Sequence, residues 1–398
     1  MLYKIYPVGD NRLSNTALAA IGEYSLTGKR IQVAGTTYRP GNTNNGVLWE
    51  RLDAPTATQP SLSFYGFPFQ NSGATALNNV YPSQVVGWVE SQDKAGHLPF
   101  LFEKSGNTIL DTLGGNAGEA NGINDNGIIA GWSLNPNGYR RATVWQSRHN
   151  LIDLGTLGGN ESVAFAINKS GQVAGWAEDA NGSMHAFLWT PGGTDGIAGN
   201  PQMKDIHLAG FAVSLATALN DNGDVVGQLQ QPTDEAFFKA ANGAVKVLPN
   251  LGYTAVAKGI NNNGEIVGQS QAAVGSPIHG VTWFNFLIED LNDQLVDKDS
   301  FFTITDATAI NSGGYIAARA RTSGLNAFPF GLILDPFYLH FQFPYMPDTQ
   351  ANWSNGFPGE KDMNVLTGML FMSARLHNKK RKHALKDVLL EMIEKNAE

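Results

Sequence analysis

One unit recurs along this chain and limits its fold more than any other property. It reads Ala-x-Ala/Gly-Ile-Asn-x-x-Gly-x-Val-x-Gly, and its clearest copy runs from Ala164 through Ile167 and Asn168 to Gly175. Other copies begin at Ala120, Ala216, Ala257 and Ala307. A copy at Ala74 carries two extra residues before Gln84-Val85-Val86-Gly87, and a degenerate one starts near Ala17 and ends at Val33-Ala34-Gly35. Successive anchors are 57, 46, 44, 52, 41 and 50 residues apart, the period of a repeat array or a propeller.

Two further blocks accompany the repeat, the first after every copy and the second between some of them. One is aromatic, as in Ala186-Phe187-Leu188-Trp189 or Ala142-Thr143-Val144-Trp145. The other joins units, as in Leu151-Ile152-Asp153-Leu154-Gly155-Thr156-Leu157-Gly158-Gly159. Every block is short, β-rich and bounded by Gly, Asn or Pro, which is the pattern of strands. Asn-Gly at 126–127, 222–223 and 263–264 predicts two-residue hairpins with positive φ at both central positions. Four strands per unit and seven units predict an all-β, seven-bladed β-propeller over residues 1–334. Small residues fall in the first strand, where room near an axis is least. Large aromatics fall farther out, where wedge-shaped blades need filling. The opening segment Tyr3 to Asn11 matches a joining block that lacks a preceding unit, so residues 2–8 are expected to complete the last blade and close the ring. An open β-solenoid is the rival, but units this long exceed one β-helix coil.

Composition narrows the function classes. Charged residues make up 16% of the 398, too few for long solvent-exposed helices over most of the chain. Glycine is abundant, at 45 residues, without the Gly-X-Y register of collagen. The chain has no cysteine, which removes disulfides, thiolate metal sites and cysteine nucleophiles. The net charge of −8 disfavours nucleic acid as a partner. No apolar run is long enough for a transmembrane helix, and the first residues lack the apolar core of a secretion leader.

Residues 335–398 leave the repeat. Residues 335–360, rich in Pro, Asn and aromatics, read as an irregular surface arm. Apolar spacing predicts a small C-terminal helical extension over 361–398, with helices at 361–376 and 382–395. Lys379-Lys380-Arg381-Lys382 lies between these helices. It reads as a solvated turn, as a dock on the acidic body, or, with the amphipathic stretch to 395, as a weak membrane or partner contact.

No acid, base, nucleophile or metal set stands out, so no catalytic residue is assigned and no metal or cofactor is expected. The histidines His97, His185 and His279 recur in alternate units, with Arg141, Glu235 and Asn326 at the intervening positions. They read as polar strand-start residues bonded to a neighbouring loop rather than as metal ligands. The repeat asparagines Asn78, Asn124, Asn168, Asn220, Asn261 and Asn311 read as turn-holding side chains, and a calcium cage fails because Lys169 falls in one copy. Asp111 and Asp153, with Asp205 as a looser counterpart, read as turn caps or as an acidic collar. Departures from the repeat are where recognition is expected. Phe64, Tyr65, Phe67 and Trp88 form a candidate aromatic surface for a sugar or peptide, against plain packing as the alternative. Arg39, Tyr139, Arg140 and Arg141 are candidate polar contacts.

These blocks resemble the HAF repeats, named for a His-Ala-Phe core that stands here as His185-Ala186-Phe187; the resemblance covers roughly residues 2–334. It implies an extracellular or exported bacterial repeat protein with a propeller-like fold, and no settled activity. The leading expectation is a monomeric, non-catalytic binding or scaffolding protein whose propeller loops recognise a protein or glycan. The alternative is a polysaccharide hydrolase or lyase with its site in the channel.

Overall fold

The computed structural model describes residues 2–8, 15–25, 29–39, 43–53, 61–66, 71–92, 96–103, 106–295, 302–322 and 329–337. Residues 3–336 form one compact unit. Residues 1–2 and 337–398 belong to a second, of which Leu2 and Phe337 alone are described.

Seven four-stranded antiparallel sheets follow one another along the chain. Blade 4 shows the plan, from the inner strand outward: Gly158–Ile167, Val173–Asp179, Met184–Trp189 and Met203–Asp205. Inner strands of the other blades are Asn15–Ser25, Ser72–Leu77, Gly118–Ile123, Val213–Leu219, Thr254–Ile260 and Phe302–Ile310. Each touches the inner strands of both neighbours, and the inner strand of blade 1 touches that of blade 7, so the units make a closed seven-bladed β-propeller rather than a solenoid. The outer strand of blade 7 is Leu2–Val8, paired beside Pro329–Phe337. The first strand of the chain therefore covers an edge that the last would otherwise leave open.

Three sequence expectations change. The C-terminal helical extension is not part of the fold seen: among the described residues there is no α-helix, only a 3-10 turn at Leu291–Gln294, and residues 361–398 lie outside the described residues. Asp335, Pro336 and Phe337 belong to the last strand rather than to an irregular arm, and residues 338–360 lie outside the described residues. The hairpin turns also differ in type. Positive φ falls on the glycines alone (Gly127, Gly171, Gly223, Gly264 and Gly314), while Gly127 N–H bonds the Asn124 carbonyl and Asn124 N–H bonds that of Ile128. The turn is thus one residue longer than a two-residue hairpin, with glycine at its left-handed corner.

Packing follows the radial grading of side-chain size. Ala120, Ala164, Ala216, Ala257 and Ala307 are fully buried on the inner strands. Phe100, Trp145, Phe187, Phe237 and Trp283 are fully buried on the third strands, between blades. Serine staples join neighbours: the hydroxyls of Ser72, Ser162 and Ser214 accept the amides of Gly46, Ala142 and Ala186 from the preceding blade.

The repeat encodes one backbone irregularity. In blades 2 to 7 the register slips after the anchor residue, as between Ala164 and Ala166, and in blade 1 it slips one residue beyond Ala17, between Leu18 and Ala20, leaving a β-bulge in each inner strand. The bulge drives a carbonyl toward the second strand. A Cβ on the facing Gly175 would overlap the Val163 carbonyl oxygen, and the same holds for Gly87, Gly131, Gly227 and Gly268 against their own partners. In these blades the final glycine of the motif accommodates the close approach, while blade 7 forms its bulge opposite Ala318.

The repeat asparagines do more than hold their own turns. Asn168 Oδ1 accepts the Gln172 amide and the Ser170 hydroxyl, both at 2.9 Å. Its Nδ2 donates to Gln172 Oε1 at 2.9 Å and to the Asn220 carbonyl of blade 5 at 3.1 Å. The inter-blade bond recurs from Asn78 to Asn124 (3.2 Å), Asn124 to Asn168 (2.9 Å), Asn220 to Asn261 (3.1 Å) and Asn261 to Asn311 (3.0 Å). A buried amide girdle thus runs around the axis from blade 2 to blade 7. A second tier lies outside it, with Asn126, Asn222 and Asn263 each donating to a carbonyl of the next blade.

Two substitutions test this account by chemical denaturation. Asn168→Ala leaves buried amides and a carbonyl without partners and is expected to lower stability by about 2–4 kcal/mol. Gly175→Ala forces the bulge carbonyl aside and is expected to cost about 3 kcal/mol or more. A loss under about 0.5 kcal/mol for either would contradict the corresponding role.

Candidate functional site

Antiparallel strand order separates two faces. The asparagine-anchored hairpins open on one, the girdle face. Turns from second to third strand, and links from each outer strand to the next blade, open on the other, the loop face.

On the loop face, basic residues at third-strand starts meet carboxylates at outer-strand ends. His185 Nδ1 lies 2.8 Å from Asp205 Oδ2, His279 Nδ1 lies 2.5 Å from Asp290 Oδ2, and Arg141 Nε lies 3.1 Å from Asp153 Oδ1. Each aspartate also caps its own link, accepting the amide of His207, Asn292 or Gly155 through Oδ1. Turn capping and strand-start bonding are therefore two halves of one clasp. Asp111 is not a member, because the strand register puts Ile109 at the equivalent place in blade 2; Asp111 faces His149 Nδ1 at 2.7 Å instead. His97 is also out of register by one residue. Leu98 pairs with Val89 where His185 pairs with Ala177. His97 accordingly stacks on Trp88, at 3.9 Å between ring centroids, and reaches Glu119 of blade 3 at 2.5 Å.

The densest polar cluster joins blades 4 and 5. The rings of His185 and His207 stack with centroids 3.9 Å apart and planes within 5°. His207 Nδ1 lies 2.8 Å from the Ser214 hydroxyl oxygen, which accepts the Ala186 amide at 2.8 Å. Partial burial and the neighbouring His185 hold the His207 imidazole below its ordinary value. A carboxylate, imidazoles and a hydroxyl in sequence invite a nucleophilic reading, but Ser214 is fully buried and repeats the staple of Ser72 and Ser162. The cluster is a structural clasp with a titratable element. Among the described residues, no three histidines or carboxylates converge on a metal position.

Arg39 ends the second strand of blade 1, Phe64 and Tyr65 lie in its outer strand Ser61–Gly66, and Phe67 is outside the described residues. Trp88 is held between Gly73 and the His97 ring. Tyr139 stands exposed in the loop-face turn of blade 3. Arg140 there pairs with Glu161 at 2.7 Å and lies 5.4 Å over Trp176, while Arg141 is fastened to Asp153.

Other residues were missed. Lys239 occupies the place of Trp145, Trp189 and Trp283. It is buried, donates to the Ala240 and Ala241 carbonyls at 3.1 Å, and is pushed down by burial and by Lys204. That departure is visible in the third block as Glu235-Ala236-Phe237-Phe238-Lys239. His207 has no repeat counterpart and carried no signal. On blade 6, Tyr253, Val274 and Ile278 are exposed at the same end of adjacent strands, where Tyr253 N–H bonds the Gln271 carbonyl and Gln271 pairs with Ile278.

Two open cavities lie on the girdle face. One, about 570 Å³, sits between blades 2 and 3 and is lined by Val80, Pro82, Gln84, Glu103, Asp125 and Asn126. The other, about 550 Å³, draws its lining from blades 1, 2, 4, 5, 6 and 7 and so lies at the axis. Its Asp221 is the one carboxylate in that lining. Both of its oxygens are engaged, by Lys169 N–H and Asn262 Nδ2, so no acid pair faces this space.

No family model matches the chain, and no curated protein matches it. Solved propellers resemble it distantly. TolB from Acinetobacter baumannii is 11% identical, with a TM-score of 0.40, over 77% of this chain and 63% of that one. The sialidase of Trypanosoma rangeli in complex with sialic acid is 8% identical, with a TM-score of 0.37, over 83% of this chain and 57% of that one. A mutant of AofleA from Arthrobotrys oligospora is 10% identical, with a TM-score of 0.34, over 84% and 87%. The chain spans about three-fifths of the length of the first two. Similarity this low carries neither activity nor ligand across. The HAF resemblance rests on its motifs alone.

The His207 clasp sets a pH dependence. Its folded-state value lies below the ordinary 6.5, so its contribution to stability is complete above pH 6.5 and is lost as pH falls through the folded value. Melting temperature is expected to drop as pH is lowered from 6.5, with a shallower fall in His207→Asn; identical slopes in the two proteins would exclude this group as the cause.

Proposed function

We propose that this protein is a non-catalytic recognition module that binds a protein partner through loops displayed on its propeller. One observation carries the reading. Tyr253, Val274 and Ile278 stand 38%, 78% and 42% exposed on the loop face of blade 6, in a turn and a link that the repeat does not dictate. Exposed aliphatic and aromatic side chains grouped on a rigid support are the anatomy of a contact surface. Two of the three are aliphatic, which favours a protein over a glycan. Tyr139, 41% exposed on the same face, lies three blades away around the ring and is not part of this group. The catalytic alternative gains no support from the described residues, where the imidazoles of His185 and His279 are clasped to carboxylates, that of His207 is bonded to the buried Ser214, and both oxygens of the axial carboxylate are engaged. An extracellular setting is proposed from the HAF resemblance alone.

The test compares the full chain with the Val274→Asp/Ile278→Asp variant in parallel pull-downs and on a glycan array. The expected outcome is a specific protein partner whose affinity falls about tenfold or more in the variant. Equal capture by both proteins, or saturable binding to glycans alone, would overturn the reading.

A further inference from the structure

The axial cavity on the girdle face has a composition that no loop chemistry explains. Five aliphatic side chains line it: Ile21, Ile167, Leu219, Ile260 and Ile310. Ile167, Leu219, Ile260 and Ile310 are each the last inner-strand residue before a turn and pair with the first residue of the second strand, as Ile167 pairs with Val173 and Ile260 with Ile266; Ile21 holds the same register against Val33 within the longer hairpin of blade 1. Leu77 and Ile123 hold the same register in blades 2 and 3, so every blade offers one aliphatic group at this level. The result is an apolar collar around the axis.

Directly above the collar lies the amide girdle, and its polar capacity is already occupied. Asn220 Nδ2 donates to Asp224 Oδ2 and the Asn261 carbonyl, while its Oδ1 accepts the amides of Asn222 and Asp224. Asn168 and Asn261 make the same four kinds of bond. A primary amide has two donor hydrogens and two acceptor lone pairs, so these side chains have nothing left for a ligand. A hydroxyl or charged group pushed to this depth would lose its water without gaining a partner. A hydrocarbon group would bury its surface at no such penalty. The rim is different. Ser312 is exposed and lines the same cavity as Asn262 and Asp221, whose carboxylate is the negative charge in that lining. A volume of about 550 Å³ falls within the ~300–1,000 Å³ range of small-molecule sites.

We propose that the axial mouth on the girdle face binds the alkyl chain of a single-chain amphiphile, with a hydroxyl or ammonium head group at the Ser312–Asp221 rim. Carboxylate-headed chains are disfavoured because the head would sit against the Asp221 carboxylate. The site is separate from the loop-face surface, and its failure would leave the recognition reading standing.

The experiment titrates the full chain with hexylamine, octylamine, decylamine and octanoate by calorimetry, below their micellar concentrations. Affinity is expected to rise about fourfold per added methylene until the cavity is filled, with octanoate weaker than octylamine. Ile260→Phe, which fills the collar, and Ser312→Trp, which covers the mouth from an exposed position, are each expected to abolish binding. Ser312→Trp keeps the test open should Ile260→Phe not fold. Absence of saturable binding, or binding unchanged in the folded variants, would overturn the proposal. Octanoate binding as tightly as octylamine would overturn its head-group assignment.

Discussion

A side-chain amide that bonds its own turn and the next blade at once is the interaction on which this propeller depends. Each of Asn124, Asn168, Asn220 and Asn261 closes a hairpin through Oδ1 and couples that hairpin to its neighbour through Nδ2. A hydrogen bond of this kind contributes only about 0.5–1.5 kcal/mol net, but a buried amide left without its partners costs more than that. The girdle therefore acts chiefly against error. A blade that docks with the wrong tilt leaves two amides unsatisfied in a dry place. The chain of bonds also gives each hairpin a fixed position relative to the next, which is why the axial mouth beneath it has a defined shape.

The inner-strand bulge supports the same arrangement. It turns the residue after each anchor out of the ladder, and where that residue is Thr75, Asn121 or Thr217 its side chain donates to the Ala120, Ala164 or Ala257 carbonyl of the next blade. The glycine facing the bulge is the complement of that displacement. Blade 7 varies the scheme. Ala318 stands in place of the glycine, and its inner strand carries an additional irregularity between Ile304 and Asp306. Blade 1 varies it differently: Gly22 occupies the position of the asparagine, and a side chain there would meet Leu77 and Asn79. The ring is thus least repetitive where its two ends meet, and the Leu2–Val8 strand completes the closure.

Most of the groups that bear chemistry serve this framework. The imidazoles of His185 and His279 hold outer-strand aspartates that cap the links to the next blade, and Ser214 fastens blade 5 to blade 4. Such groups resemble catalytic sets in composition and differ in exposure and in the number of bonds already made. The proposed recognition surface, the apolar side chains of the blade 6 loops, lies outside this framework, whereas the aliphatic collar is built from the repeat itself.

Blade number, strand order and ring closure were legible in the linear pattern, because each rests on local spacing: Ala-x-Ala-Ile for a bulged inner strand, Phe and Trp for the third, an orphan joining block at Tyr3. The turn glycines were legible too, although not the turn type, since one extra residue between Asn124 and Gly127 shifts positive φ from two positions to one. The partners of Asn168, His97 and Asp111 were not. Those depend on neighbours 22 to 52 residues away and on register differences of one or two positions, such as Leu98 for His97 and Ile109 for Asp111, that leave no trace in composition. The aromatic surface around Phe64 and Trp88 was read from departures from the repeat, and of its members the described contacts cover Trp88, which stacks on His97. Repetition along the chain determines the scaffold because every copy meets the same neighbours. Only the folded ring decides which polar atoms remain free, because that depends on what the adjacent blade has already bonded.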